Sequence, residues 1–400
     1  MEYGSFEMRQ KKRSYSFPAV VNQTELKIAY LSNIVNPHIG GLLISGPKGT
    51  GKSTVVHSVE RILPEYDAVK ECVFNCDPER PDDLCSLCRT RANIERVRKK
   101  MRIVNLPLSC SEDRLVGSID IEKLLQQGKK EVQPGILGEA NRNILYVDEV
   151  NLLPDHLVDD ILDSAASHWN TIEREGVSVS HPSDFVLVGT MNPEEGELRP
   201  QILDRFPLCV KVKSVIDPAQ RVEIVRVNLL FERDPDRFYD TFNKDEEELR
   251  RRIINARTLL PSVETQEASL YAVASACAEL KVDGQRPDIV IVKTAQTIAA
   301  LDGRSYLKSG DVLTAAGLTL NHRTRDGGSL EPPPPDVIAA VFTKHLKRGE
   351  WVRRTDDESG KYLTASDRAS VEGAGRERSD RPGRVRPGAV DEADKGKKKG

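Results

Sequence analysis

No stretch of this 400-residue chain approaches the ~20 consecutive apolar residues that a membrane-spanning helix requires. Nor is one sign of charge in excess. Lys and Arg number 59 against 62 Asp and Glu, a formal net charge of -3, which argues against a generic binder of nucleic acid or of membrane surfaces. The opening Met1–Ser14 carries Arg9, Lys11, Lys12 and Arg13, yet no apolar stretch of signal-peptide length follows; a cytoplasmic protein is expected. Seven cysteines, an odd count without an export signal, offer no disulfide framework. Cys110, Cys209 and Cys277 lie in apolar or mixed contexts and read as inert buried thiols. The histidines (His38, His57, His156, His168, His181, His322 and His345) show no paired ligand spacing, and no internal repeat is evident. After Leu363 the chain lacks Leu, Ile, Phe, Met, Tyr and Trp, so residues 348–400, like 1–14, are expected to be disordered tails.

What is present is core material: 38% hydrophobic residues, enough at this length for two or three compact domains. Over residues 15–215, short apolar runs alternate with amphipathic helical patterns, which predicts an α/β domain with a parallel sheet. Its buried strands are expected at Gly41–Ile44, Ile103–Leu106, Ile144–Val147, Phe185–Val188 and Leu208–Val212. Asn170–Ser180 alternates about Glu175-Gly176 and reads as a projecting β-hairpin. From Pro218 the apolar period becomes helical, giving a helical linker at 216–250 and a smaller all-α domain at 251–347.

Gly46-Pro47-Lys48-Gly49-Thr50-Gly51-Lys52-Ser53 fits G-x-x-x-x-G-K-S, between an apolar strand and a helical run. The glycines let successive backbone N–H groups turn inward around nucleotide phosphates. Lys52 supplies a point charge to the β- and γ-phosphates, and the Ser53 hydroxyl is a magnesium ligand. A hundred residues on, the strand Ile144–Val147 ends in Asp148-Glu149, two carboxylates at the strand edge where doubly wound sheets bind ligands. Asp148 would hold magnesium; Glu149 would act on the attacking water as general base or as its orienter. Asn192, after a further strand, can contact the γ-phosphate or the lytic water, or can serve as a turn residue before Pro193. Arg205 closes a short helix and can reach a neighbouring subunit's γ-phosphate, or can be a surface ion pair. Arg286 opens a helix of the second domain and suits a cation that senses nucleotide across the domain cleft.

A Cys-rich insertion at 70–92 holds Cys72-x3-Cys76-x8-Cys85-x2-Cys88. Two close pairs joined by a polar loop suit a tetrahedral thiolate site for structural zinc. An iron–sulfur cluster is the softer alternative, and four unmetalled thiols in a surface loop the third.

These segments together resemble the ATPase subunit of magnesium chelatase, a group of AAA+ proteins. The resemblance is carried by Phe17–Gln23, Gly46–Thr54, Glu112–Asp120, Leu145–Leu153, Thr171–Gly176, Val186–Phe206, Gly284–Asp288 and Leu320–Arg323, and it spans about Tyr15 to Arg325. Asn22 stands where a glycine is usual. The resemblance implies an AAA+ P-loop αβα domain followed by a helical lid, with ATP and Mg2+ as ligands and Thr54 added to the phosphate loop. It implies a hexameric ring in which Arg205 acts in trans and Arg286 is the lid sensor, and insertions near 112–139 and 170–182 that shape contacts. It further implies two partners, a larger AAA-like subunit with an integrin-type domain and a porphyrin-binding subunit. ATP hydrolysis would drive Mg2+ into protoporphyrin IX on the latter, and no porphyrin site is expected on this chain. Cobaltochelatase-type and MoxR-like remodelling rings share every nucleotide residue named; the runs Glu112–Gly117 and Asn192–Pro200 favour the magnesium reading.

Overall fold

The computed structural model describes residues 13–119, 132–174, 177–196 and 198–348. In chain order its strands are β1 (Leu42–Ser45), β2 (Glu65–Val69), β3 (Arg96–Lys100), β4 (Ile103–Leu106), β5 (Gly117–Ile119), β6 (Val132–Pro134), β7 (Ile144–Val147), β8 (Trp169–Arg174), β9 (Val177–Pro182), β10 (Val186–Met191) and β11 (Leu208–Lys211). The five apolar runs anticipated above form one parallel sheet, ordered β11-β1-β10-β7-β4. They are apolar at nearly every position because helices cover both faces. Leu42, Ile44, Tyr146, Val188 and Val210 enter one core; Leu43, Leu145, Val147, Leu187 and Cys209, one residue out of phase, enter the other.

Register then fixes where the functional edge lies. Leu42 stands beside Val188 and Leu208, and Gly189 beside Val147, so β1 and β10 end together and β7 stops two residues short of them at the same edge. The loops after these three strands therefore converge on one edge.

Helices Pro218–Arg233, Pro235–Leu259, Glu267–Glu279, Arg286–Leu301, Ser309–Leu320 and Pro335–Arg348 follow the sheet. Proline occupies the first turn in four of them, where no N–H is needed, and Asp217 and Asp234 accept from Ala219 N and Arg237 N at 3.1 Å to cap two. The division expected at 250 falls inside the single helix Pro235–Leu259, whose charged turns continue into apolar ones without a break. Ile253, Val273, Ile291, Ala299 and Phe342 extend the core beneath the first sheet face, joined through the helix Thr24–Val35. At that seam Asn36 Nδ2 donates to Thr297 Oγ1 at 3.2 Å and Arg257 Nε to Ile34 O at 3.2 Å.

The hairpin expected near 170–182 is β8–β9, with Ile172 opposite Val179; its Glu175-Gly176 turn lies outside the described residues. So do 120–131, within the insertion expected at 112–139, and nearly all of both expected tails. Two ribbons were not anticipated: β5 and β6 pair antiparallel within the 112–139 insertion, and β2 and β3 pair antiparallel, Val69 opposite Arg96, and frame the cysteine insertion. β3 reads Arg-Val-Arg-Lys-Lys, so apolar alternation could not reveal it. Among the described residues no helix is long and apolar enough to cross a membrane.

Candidate functional site

The phosphate-type loop leaves β1 and enters the helix Lys52–Ser58. Its glycines are required for two different reasons. At Gly46 a Cβ would lie 2.5 Å from Val212 O, so the backbone approach excludes a side chain. At Gly49 and Gly51 space is open, but φ is +78° at both, a left-handed conformation that glycine adopts without cost. Lys52 Nζ donates to Gly46 O at 2.6 Å and Pro47 O at 2.8 Å, folded back on the loop it would share with phosphate. Burial lowers the Lys52 pKa, opposed by the Asp148, Glu149, Glu195 and Glu194 carboxylates. Lys48 pairs with Glu195, which carries its carboxyl below the usual range through that hydrogen bond.

Across the edge, Asp148 and Glu149 follow β7. Asp148 Oδ1 accepts from Thr190 Oγ1 at 2.6 Å, from Tyr146 Oη at 2.7 Å and from Ser53 Oγ at 3.4 Å. The two expected magnesium ligands, Ser53 and Asp148, thus come within hydrogen-bond reach although they are far apart in sequence. Hard oxygen donors of this kind, a hydroxyl and a carboxylate, fit a magnesium ion that keeps most of its waters. Thr190 is the centre of the arrangement: besides Asp148 it serves Glu149, whose N–H donates to Thr190 Oγ1 at 3.1 Å. Glu149 has φ 54°, a left-handed conformation that costs a non-glycine residue about 1–3 kcal/mol and needs such anchoring. Sequence reasoning missed Thr190 and Tyr146. The strand register, with Val188 beside Tyr146, is the signal that brings them to Asp148. Asn192 reaches the same edge, buried, and its side chain accepts from Glu194 N at 3.3 Å. In this state it plays the turn role that was the alternative reading.

Arg205 and Arg286 lie elsewhere. Leu208 is in register with Leu42, so Arg205, just before β11, sits at the sheet edge opposite the loop. Four residues of strand at ~3.3 Å each keep it roughly 10 Å or more from Lys52. Its guanidinium is held by Asp159 (2.6 Å) and Asp163, one turn apart on the helix Asp155–Ser167. Arg286 is exposed and lies near Arg205: desolvation lowers its pKa first, and the Arg205 charge adds to this. Arg323, buried and with its pKa lowered to about 10 by burial, donates to Asp204 O at 2.7 Å and ties the second domain to this corner. Arg286 thus shares the corner that Arg205 and Arg323 occupy.

The four insertion cysteines converge. All are buried, and their sulfurs lie within 4.8 Å of one another. They are not loose thiols in an exposed loop. The histidines also differ from their one-dimensional reading: His38 Nδ1 is 3.4 Å from His168 Nε2, and His168 Nδ1 is 3.1 Å from Asp184 Oδ1. This trio lines a cavity of about 630 Å³ with Arg142 and Arg257, well away from the nucleotide edge.

The family model described as magnesium chelatase, subunit ChlI, matches residues 17–204, and that of the AAA lid domain matches 270–341. A magnesium-chelatase subunit ChlI homolog of Methanocaldococcus jannaschii is 50% identical over 322 residues, covering 80% of this chain and 87% of that one. The magnesium-chelatase subunit ChlI of a Synechocystis strain is 47% identical over 315 residues, covering 78% and 88%. A solved structure from Cytophaga hutchinsonii, 17% identical, overlays with a TM-score of 0.53 and covers 82% of this chain and 91% of that one; it shares the fold.

Proposed function

Since the chain belongs to the magnesium chelatase ChlI family of AAA+ proteins, we propose that it is the ATP-hydrolysing motor of a magnesium chelatase, coupling ATP cleavage to insertion of Mg2+ into protoporphyrin IX held by a partner. The observation that carries the motor is the meeting of Ser53 and Asp148 beside the phosphate loop. Gly46 N–H is committed to Met191 O and Pro47 has none, so the backbone N–H groups from Lys48 to Thr54 cradle the polyphosphate. Lys52 exchanges its two carbonyl partners for phosphate oxygens. Ser53 and Asp148 would hold Mg2+, which when bound neutralises charge developing on those oxygens. Glu149, fixed through Thr190, orients the attacking water and takes its proton. Asn192, released from Glu194, would align that water.

The remaining charge comes from outside the chain. Arg205 lies at the sheet edge opposite its own phosphate loop, with Arg286 near it, which supports a ring, hexameric in this reading, in which both reach a neighbour's γ-phosphate. Exchange of Arg205 away from Asp159 and Asp163 is inexpensive, because exposed ion pairs contribute only about 0–1 kcal/mol. An integrin-type-domain subunit and a porphyrin-binding subunit would complete the machine. The zinc expected at the four thiols would be a structural ion outside that cycle.

The test mixes the purified chain with both other chelatase subunits, porphyrin, ATP and Mg2+, and follows metalloporphyrin fluorescence. Metallation that requires this chain and ATP is expected. ATP turnover without metallation would keep the motor and discard the chelatase assignment.

A further inference from the structure

The cysteine insertion has almost no core of its own. Besides the four sulfurs, its buried cluster contains only Val69, Phe74 and Leu84. Three apolar side chains do not offset the ordering of a ribbon and its long loop, and small units of this kind depend on a staple. Disulfides are not that staple, since all four cysteines are free.

We propose that Cys72, Cys76, Cys85 and Cys88 bind one zinc ion, and that the loaded knot braces the base of the β8–β9 hairpin. The sulfur spacing decides the metal class. A single ion with Zn–S bonds of ~2.3 Å requires sulfurs about 3.8 Å apart, which the mutual limit of 4.8 Å accommodates. An iron–sulfur cluster places several irons between its thiolates and needs them more widely spread. Backbone geometry agrees: Cys85 N donates to Cys76 Sγ at 3.2 Å, a bond that stabilises a thiolate ligand, and Cys88 N returns to Cys85 O at 3.0 Å. Each close pair is wrapped by a tight turn, the first with Glu71 and Asn75 at positive φ.

The brace follows from what the knot touches. Phe74, between the first two cysteines, stacks on the His181 ring of β9 at 4.2 Å between centroids, 11° from parallel. Its carbonyl accepts from Asn141 Nδ2 at 2.6 Å, and a Cβ on Gly138 would come within 2.9 Å of its ring. Arg89, in the helix Ser86–Arg89 that holds Cys88, lies over the Trp169 ring at the start of β8, 5.9 Å from its centre. His181 Nε2 in turn lies 3.0 Å from Asn170 Nδ2, so both hairpin strands are gripped from one side. The knot is set apart from the phosphate loop, so its loss should spare nucleotide binding.

Full-length protein purified with reductant and without chelator should contain about one zinc per chain by elemental mass spectrometry, and C88S should lower this at least about tenfold. Adding Co2+ to metal-depleted wild type should produce thiolate charge-transfer bands and the visible absorption of a tetrahedral four-sulfur site, a readout that stands even where C88S fails to fold. Reduced wild type that takes up neither ion overturns the site, as does zinc content unchanged in both C76S and C88S. For the brace, amide exchange at Ile172 and Val179 should quicken about tenfold or more without metal, while Leu43 and Val188 in the main sheet stay protected. Equal exchange in the loaded and depleted protein would leave the metal in place and overturn the brace.

Discussion

Replacing Thr190 by valine tests whether one buried hydroxyl organises the hydrolytic carboxylates. Valine preserves the shape of this fully buried side chain but removes Oγ1. Three contacts go: the 2.6 Å donation to Asp148 Oδ1, the 3.1 Å acceptance from Glu149 N and a longer 3.4 Å contact with Tyr146 Oη. The first is charge-assisted and worth about 1.5–3 kcal/mol; the second leaves a partly buried amide without its acceptor, about 1–3 kcal/mol. Asp148 retains its bond from Tyr146 at 2.7 Å and so stays near Ser53. Glu149 keeps only the donation from Leu152 N to its carbonyl at 2.9 Å; its own N–H loses its acceptor, and its left-handed backbone at φ 54° can relax. If about 1.4–2.8 kcal/mol of this loss is felt in the transition state, kcat for ATP falls about 10- to 100-fold. KM should change little, because the phosphate loop is untouched. The assay is steady-state phosphate release at saturating Mg2+, with Thr190→Ser alongside; serine keeps the hydroxyl and should remain within a few-fold of wild type. Wild-type kcat in Thr190→Val, or an equal loss in both variants, would refute the reasoning.

Other consequences are open to direct measurement. Lys52→Ala should abolish both ATP binding by calorimetry and turnover; preserved binding would argue against its place on the phosphates. Arg205→Ala should bind ATP normally yet hydrolyse it ~10³-fold more slowly, and mixing it with inactive Lys52→Ala chains should restore some activity, because each supplies what the other lacks. No recovery on mixing would count against action in trans. Arg286→Ala should behave as Arg205→Ala does, and weakened ATP binding by the isolated chain would count against its action in trans. His322 is buried, bonded to Phe206 O at 2.9 Å, with a pKa lowered to about 3 by burial and then by the Arg323 charge. The unfolded chain, with an ordinary histidine near 6.5, takes up the proton first, so this group's contribution is complete above that pH and is lost between it and about 3. Urea denaturation should show about 2 kcal/mol of lost stability from pH 7 to pH 5 that is absent in His322→Gln. Identical pH slopes would remove the histidine from the account.

The nucleotide loop, the five buried strands and the Asp148-Glu149 pair were legible in one dimension, because each depends on residues close together in the chain. A glycine spacing sets a loop, an uninterrupted apolar run sets a strand covered on both faces, and the residues that follow a strand must appear at its end. Thr190 was not legible, since its partners are chosen by β10 lying beside β7 in one register. The four cysteines announced themselves by spacing, but their burial and mutual approach required the β2–β3 ribbon, whose charged strand carries no apolar signal. Arg286 opens its helix as expected, and only the seating of the helical domain on the corner before β11, through His322, Arg323 and Thr324, brings it near Arg205. Local sequence thus determined which chemistry the chain carries. Long-range packing decided which groups meet, because sheet order and the seating of one helical layer on another are set by contacts between residues a hundred or more positions apart.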